Sequence, residues 1–128
     1  MLINFSNHPS HHWNKKQMSQ AKKLYGSVFD MSFPEIDPEA GEDEIHVLAV
    51  EYYKKLMRFF EEKGISGPHA VHIQGEFSFV CAVVALLTAA GITCVASTTR
   101  RIVTTRENGE KISRFDFVRF RKYVNLVQ

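Results

Sequence analysis

Chemically useful side chains gather in three short stretches of this sequence. Asn7-His8-Pro9-Ser10 offers an amide, an imidazole and a hydroxyl. Gln74-Gly75-Glu76 offers an amide, a residue without a side chain and a carboxylate, and Ser97-Thr98-Thr99-Arg100-Arg101 offers three hydroxyls and two guanidinium groups. Hydroxyls and arginine suit phosphate oxygens, and a glycine lets the backbone come close to a ligand. Together they read as a crevice for a phosphate-bearing ligand. Each also has a plainer reading. Ser10 suits a helix cap, Glu76 suits the dipole at a helix start, Gly75 suits a turn, and Thr98 and Thr99 suit a strand. Neighbouring strand residues point to opposite faces, so one of Arg100 and Arg101 enters the crevice, and Arg100 is nearer the strand end.

Several site types are disfavoured. The sequence has neither GxGxxG nor GxxxxGK[ST], which argues against dinucleotide and Walker-type sites. Of its 6 histidines, His8, His11 and His12 follow the first strand, whereas His69 starts a later parallel one. Those edges lie roughly 16 Å apart, too far for shared coordination. A smaller set, His8, His12 and Glu76, stays open, but no metal or other cofactor is expected. His72, in mid-strand, reads as a satisfied core residue. Cys81 and Cys94 sit in apolar stretches without CxxC spacing, which suggests reduced thiols in the cytoplasm and no Cys-His nucleophile. No secretory signal is expected at the N-terminus.

The elements that must position these groups follow from hydrophobic spacing. At 128 residues and 45% hydrophobic, the chain suits one domain, residues 1–128. Leu2–Phe5 reads as a strand, followed by a helix capped by Ser10, running through Trp13, Gln17, Ala21 and Leu24, and stopped by Gly26. Val28–Phe33 is a second strand. Asp37-Pro38 reads as the entry to a long amphipathic helix whose stripe includes Ile45, Leu48, Tyr52, Leu56 and Phe59, ending at Gly64. Ala70–Ile73 is the third strand, 77–90 an apolar helix, and Ile92–Ala96 the fourth strand. The apolar run is shorter than the roughly 20 residues of a membrane span. Asn108-Gly109 then joins two antiparallel arms, 98–105 and 111–121, and the alternation slips at Val118, a sign of a bulge. Strands alternating with helices imply an α/β fold: a Rossmann-like three-layer sandwich with a mainly parallel sheet and a C-terminal antiparallel β-hairpin. Its crevice lies at the carboxyl ends of the strands, where the three stretches converge. The apolar helix needs cover all round, which suggests a homodimer. Residues 100–128 hold eight Lys/Arg against three Asp/Glu, whereas residues 1–99 are net acidic. That asymmetry suits an anionic ligand near the C-terminal segment or, more plainly, a solvated basic face.

The segments VHIQGEF (71–77), GITCVASTTRR (91–101) and FDFVRFRKY (115–123), with the opening NFSNHPS (4–10), resemble small stand-alone ring nucleases of type III CRISPR systems, related to the CARF (CRISPR-associated Rossmann) fold. The resemblance covers most of the chain and is best over residues 70–123. It implies a homodimer that binds cyclic oligoadenylate across its two-fold axis and cuts it without metal. A ribose 2′-hydroxyl attacks the adjacent phosphodiester and leaves a 2′,3′-cyclic phosphate. That group has no universal catalytic residue, so roles are assigned by position and chemistry. Arg100 is the phosphate clamp, and Glu76 is a base or ribose ligand. His8 is the acid for the leaving oxygen. Asn7, Ser10, Gln74, Gly75, Ser97, Thr98 and Thr99 form the binding loops. The alternative is a non-catalytic binder, a sponge or sensor of the same nucleotide; linear RNA is another ligand, and a structural subunit without a nucleotide a third reading.

Overall fold

The computed structural model describes residues 1–64 and 67–126. Among these residues, five strands form one sheet: β1 (Leu2–Ser6), β2 (Val28–Asp30), β3 (Ala70–Gln74), β4 (Thr93–Thr105) and β5 (Lys111–Lys122). Their spatial order is β2-β1-β3-β4-β5. The first four run parallel and β5 pairs antiparallel with β4. Three helices connect them: α1 (Lys15–Tyr25), α2 (Glu42–Lys63) and α3 (Phe77–Ala89). The mixed sheet between helix layers is the α/β sandwich that the alternation predicts.

Right-handed crossovers explain the layers. The chain leaves β1 in one direction for β2 and then in the other for β3 and β4, so α1 covers one face while α2 and α3 cover the other. On the α2/α3 face, Ile3, Phe5, Val71, Ile73 and Cys94 pack against Ala49, Leu56, Phe79, Val83 and Leu87. On the α1 face, Leu2, Ala70, Val95, Phe117 and Phe120 pack with Ala21. Period-2 alternation gives this second face a gradient. Leu2 and Ala70 lie at its apolar floor, Asn4 and His72 are paired in register one step further, and Ser6 and Gln74 are paired at the carboxyl ends.

Several boundaries differ from the sequence expectation. Ser10 starts a three-residue 3-10 turn, Ser10–His12, while Asn14 caps α1 by accepting from the Gln17 N–H at 2.8 Å. Trp13 therefore precedes the helix and folds against the sheet. Strand β2 is only three residues long. Asp37 closes its own turn, with Oδ1 accepting from the Glu39 N–H at 2.9 Å, and α2 begins after Gly41. The fourth strand and the first hairpin arm are one continuous strand, β4, whose outer half pairs only with β5. The slip in alternation is real: Thr98 faces Arg119 and Thr99 faces Phe117, leaving Val118 as the extra residue. Residues 127–128 of the expected single domain, and 65–66 within it, lie outside the described residues.

Candidate functional site

The strand order reverses between β1 and β3, and open α/β sheets bind ligands outside the carboxyl ends at such a switch point. Polar side chains of β1, β3 and β4 meet there beneath α1. The His72 ring, 1% exposed, has Nδ1 2.8 Å from Asn4 Oδ1 and Nε2 2.7 Å from Ser97 Oγ. Asn4 Nδ2 donates to Asp30 Oδ1 and to the His8 carbonyl, both at 2.8 Å, and Ser6 Oγ donates to Asn4 Oδ1 at 2.7 Å. These bonds leave Asn4 Oδ1 as an acceptor, so His72 carries its proton on Nδ1 and Nε2 accepts from Ser97. Burial pushes the His72 imidazole down to about 4 from an ordinary 6.5 and keeps it neutral. Gln17 Nε2 donates to Ser97 Oγ at 2.9 Å from α1. Where β3 ends, the Gln74 side chain stands in for a strand: its Oε1 accepts from the Ser97 N–H at 3.0 Å.

Above this network lies a hollow of about 410 Å³ lined by His8, His12, Trp13, Gln17, His72, Gln74, Ser97, Thr99 and Phe115. Three imidazoles, two amides and two hydroxyls line it together with two aromatic rings and, among the described residues, no carboxylate. Trp13 stands edge-on to His72, ring centres 5.3 Å apart. Its indole N–H is buried without an acceptor among the described residues. Phe115 is 64% exposed, a large apolar ring left open to solvent.

His8, Gln74, Ser97 and Thr99 thus share one hollow. The other sequence-predicted groups lie elsewhere. Asn7 lines a separate hollow of about 350 Å³ with Asp30, Ser32 and Phe33. The Ser10 hydroxyl donates to Asp30 Oδ2 at 2.5 Å and its N–H to Oδ1 at 3.0 Å. Burial raises the Asp30 carboxyl, but the bonds from Ser10 and Asn4 outweigh it and hold the group below its usual value. Gly75 lies under the Phe33 ring. Glu76 is the cap of α3, accepting from the Ser78 N–H at 3.0 Å and the Phe79 N–H at 2.9 Å. The Phe79 N–H, then the Ser78 hydroxyl and N–H, hold its carboxyl below the usual range. That helix start already holds its anion. Thr98 Oγ1 donates to the Arg119 carbonyl and accepts from its N–H at the bulge. Arg100 lines a neighbouring hollow with Asn14, Lys16, Ile102 and Asp116.

Trp13, Gln17 and Phe115 were not singled out from sequence as ligand contacts, and His12 only as a member of a metal set with His8 and Glu76. His72 was read as a satisfied core residue, which it is, although it also floors the hollow. The usable signal was a polar residue inside each apolar strand: Asn4 in LINFS and His72 in AVHIQ. Among the described residues, no group of three His, Cys, Asp or Glu could hold a metal ion. No helix among them is long and apolar enough to cross a membrane.

The sequence model of the Uncharacterized protein MJ1673 family matches residues 1–121. No curated protein and no solved structure matches the chain significantly.

Proposed function

The chain belongs to the Uncharacterized protein MJ1673 family, and within it we propose a metal-independent ring nuclease: a homodimer that binds cyclic oligoadenylate, a second messenger of type III CRISPR defence, and opens it by 2′-hydroxyl attack. One observation carries this reading: the hollow at the switch point joins three histidines, hydroxyls and amides with two aromatic rings and, among the described residues, has no carboxylate in its lining to repel a phosphodiester. An adenine stacks on Phe115 against Trp13. Ser97, whose proton is held by His72, accepts from a ribose hydroxyl. Thr99 and Gln74 donate to the phosphoryl oxygens. His8 and His12 are the acid–base pair, one taking the 2′-proton and the other protonating the leaving 5′-oxygen. Arg100, with Lys16, holds a flanking phosphate of the ring. Glu76 acts through the cap of α3 and not on the ligand.

Helix α3 supports the two-fold partner. Phe77, Cys81, Ala85 and Ala89 form an exposed stripe at four-residue spacing, on a helix without a single charge. Small residues on such a stripe let two helices approach closely.

A second reading, a binder that sequesters the ring, is favoured by one observation: Glu76 and Arg100, two of the three groups assigned to catalysis from sequence, lie outside the hollow. Incubation with cyclic tetra- and hexa-adenylate in excess EDTA, read by mass spectrometry, separates the two. Linear products ending in 2′,3′-cyclic phosphate, lost in His8→Ala or His12→Ala, support the nuclease. Saturable binding of an intact ring supports the binder. Neither binding nor cleavage sinks both.

A further inference from the structure

We propose that Ser97 is a nucleophilic serine, deprotonated by His72 and oriented through Asn4, that accepts acyl groups from small uncharged carboxylic esters. This activity does not rest on the nucleotide reading.

The three side chains come from three adjacent parallel strands. Asn4 and His72 are register partners across β1 and β3, and His72 pairs with Val95, two residues before Ser97. The hydroxyl is 2.7 Å from Nε2, and Nδ1 is 2.8 Å from the Asn4 carbonyl oxygen. A nucleophile within hydrogen-bond reach of a base that is itself held by a third group is the signature of covalent catalysis. The tautomer is the productive one, because Ser6, Asp30 and the His8 carbonyl fix the Asn4 amide with its oxygen toward Nδ1–H. An amide serves as third member in the Cys-His-Asn proteases. Here the Asp30 carboxylate stands behind it at 2.8 Å from Nδ2.

The surroundings decide the electrophile. Among the described residues, no lysine, arginine or carboxylate lines the hollow, so its floor suits a neutral carbonyl better than a phosphate dianion. Trp13 and Phe115 wall it with apolar surface. Gln74 Nε2 lies 3.4 Å from the Ser97 carbonyl, too long for a strong bond, which leaves an amide N–H for a developing oxyanion. The Thr99 hydroxyl lines the same space. In the acylation step Ser97 Oγ bonds to the carbonyl carbon while its proton passes to His72 Nε2. The tetrahedral adduct collapses, the bond to the alcohol oxygen breaks, and His72 protonates the departing alcohol. Water then attacks acyl-Ser97 by the reverse route, releasing the acid and restoring the hydroxyl.

The test uses the full chain with diisopropyl fluorophosphate and with p-nitrophenyl acetate. Intact mass and peptide mapping should find one diisopropylphosphoryl group, on Ser97, and the acetate should give a stoichiometric burst of p-nitrophenolate. Ser97→Ala should lose both, and His72→Gln should slow labelling by about 10²- to 10⁴-fold. The positioning role of Asn4 is read separately: ¹⁵N shifts of His72 should report Nδ1–H in the wild type and a tautomer mixture in Asn4→Ala. No adduct, an adduct on another residue, or a burst that survives Ser97→Ala overturns the proposal. If Ser97→Ala does not fold, the mapped position of the wild-type adduct decides alone.

Discussion

Folding carries His72 from water into a site where it is 1% exposed and hydrogen-bonded as a neutral ring. Burial moves its imidazole from 6.5 to about 4. The sign follows from proton counting. Between those two values the unfolded chain binds a proton that the folded chain refuses, so stability rises with pH there. The contribution is complete above about 6.5 and is lost progressively down to about 4. At about 1.4 kcal/mol per unit, the full loss is about 3 kcal/mol, of which about 2 kcal/mol has gone by pH 5. With a urea slope of roughly 1–3 kcal/mol/M for a domain of this size, the midpoint should fall by roughly 1 M between pH 7 and pH 5. Trp13, the only tryptophan, stands against His72 and reports unfolding by fluorescence. The control is His72→Gln, less stable at pH 7 but lacking this slope. The other histidines are common to both proteins and cancel. Asp30 and Glu76 have depressed carboxyl values, so their contributions are lost only at lower pH, outside this window. Parallel loss of stability in the two proteins from pH 7 to pH 5 would refute the buried neutral imidazole.

Other outcomes follow from single contacts. Gly75→Ala puts a Cβ into the Phe33 ring, which is wedged between Phe5 and Phe79, and should cost about 1–3 kcal/mol in chemical denaturation. Phe115→Ala should leave the melting temperature unchanged, since the ring is 64% exposed, but weaken adenylate binding by the roughly 1–3 kcal/mol of a lost base stack, measured by calorimetry. Glu76→Gln should lower the melting temperature by loosening the α3 cap without altering nucleotide affinity. Mild oxidation should link two copies through Cys81 on the α3 stripe, seen on a non-reducing gel and lost in Cys81→Ser. Cys94 is buried, its thiol pushed up to about 12, and should stay silent.

The strand–helix order was legible because each element has its own period. The Ile45–Phe59 stripe repeats every three to four residues, the Phe115/Phe117 arm every two, and Gly26 and Gly64 take positive φ where α1 and α2 end. The start of α1 was misread because Ser10 and Asn14 are both good caps. Only tertiary structure shows Asp30 claiming the Ser10 side chain and leaving Asn14 to the helix. The site was half legible for a related reason. Loop sequences place His8, Gln74, Ser97 and Thr99 at one end of the sheet, but which hydroxyl meets a histidine depends on partners far along the chain. Ser97 and His72 are 25 residues apart, and His72 and Asn4 are 68. Glu76 was ambiguous from the outset, since a carboxylate before a helix satisfies both readings. The hydrogen bonds to Ser78 and Phe79 settle its cap role.

Val118, the surplus residue of β5, shifts by one the numbering of everything that follows it. Before it, the odd-numbered Phe117 faces α1; after it, the even-numbered Phe120 does, and both are buried in the same cluster. Removing that one residue would set Phe117 and Phe120 two positions apart, as in a regular strand, with Thr98 still facing Arg119 and Ser97 still facing Phe120, so both rings would keep facing α1. Val118 is therefore the one residue this arm can lose without changing which side meets water. Among relatives, loss of the residue at Val118, or changes confined to the Glu107–Glu110 tip, should be tolerated, while loss of two residues between Phe117 and Phe120 should be absent, because it would make the two rings neighbours that face opposite sides of the ribbon.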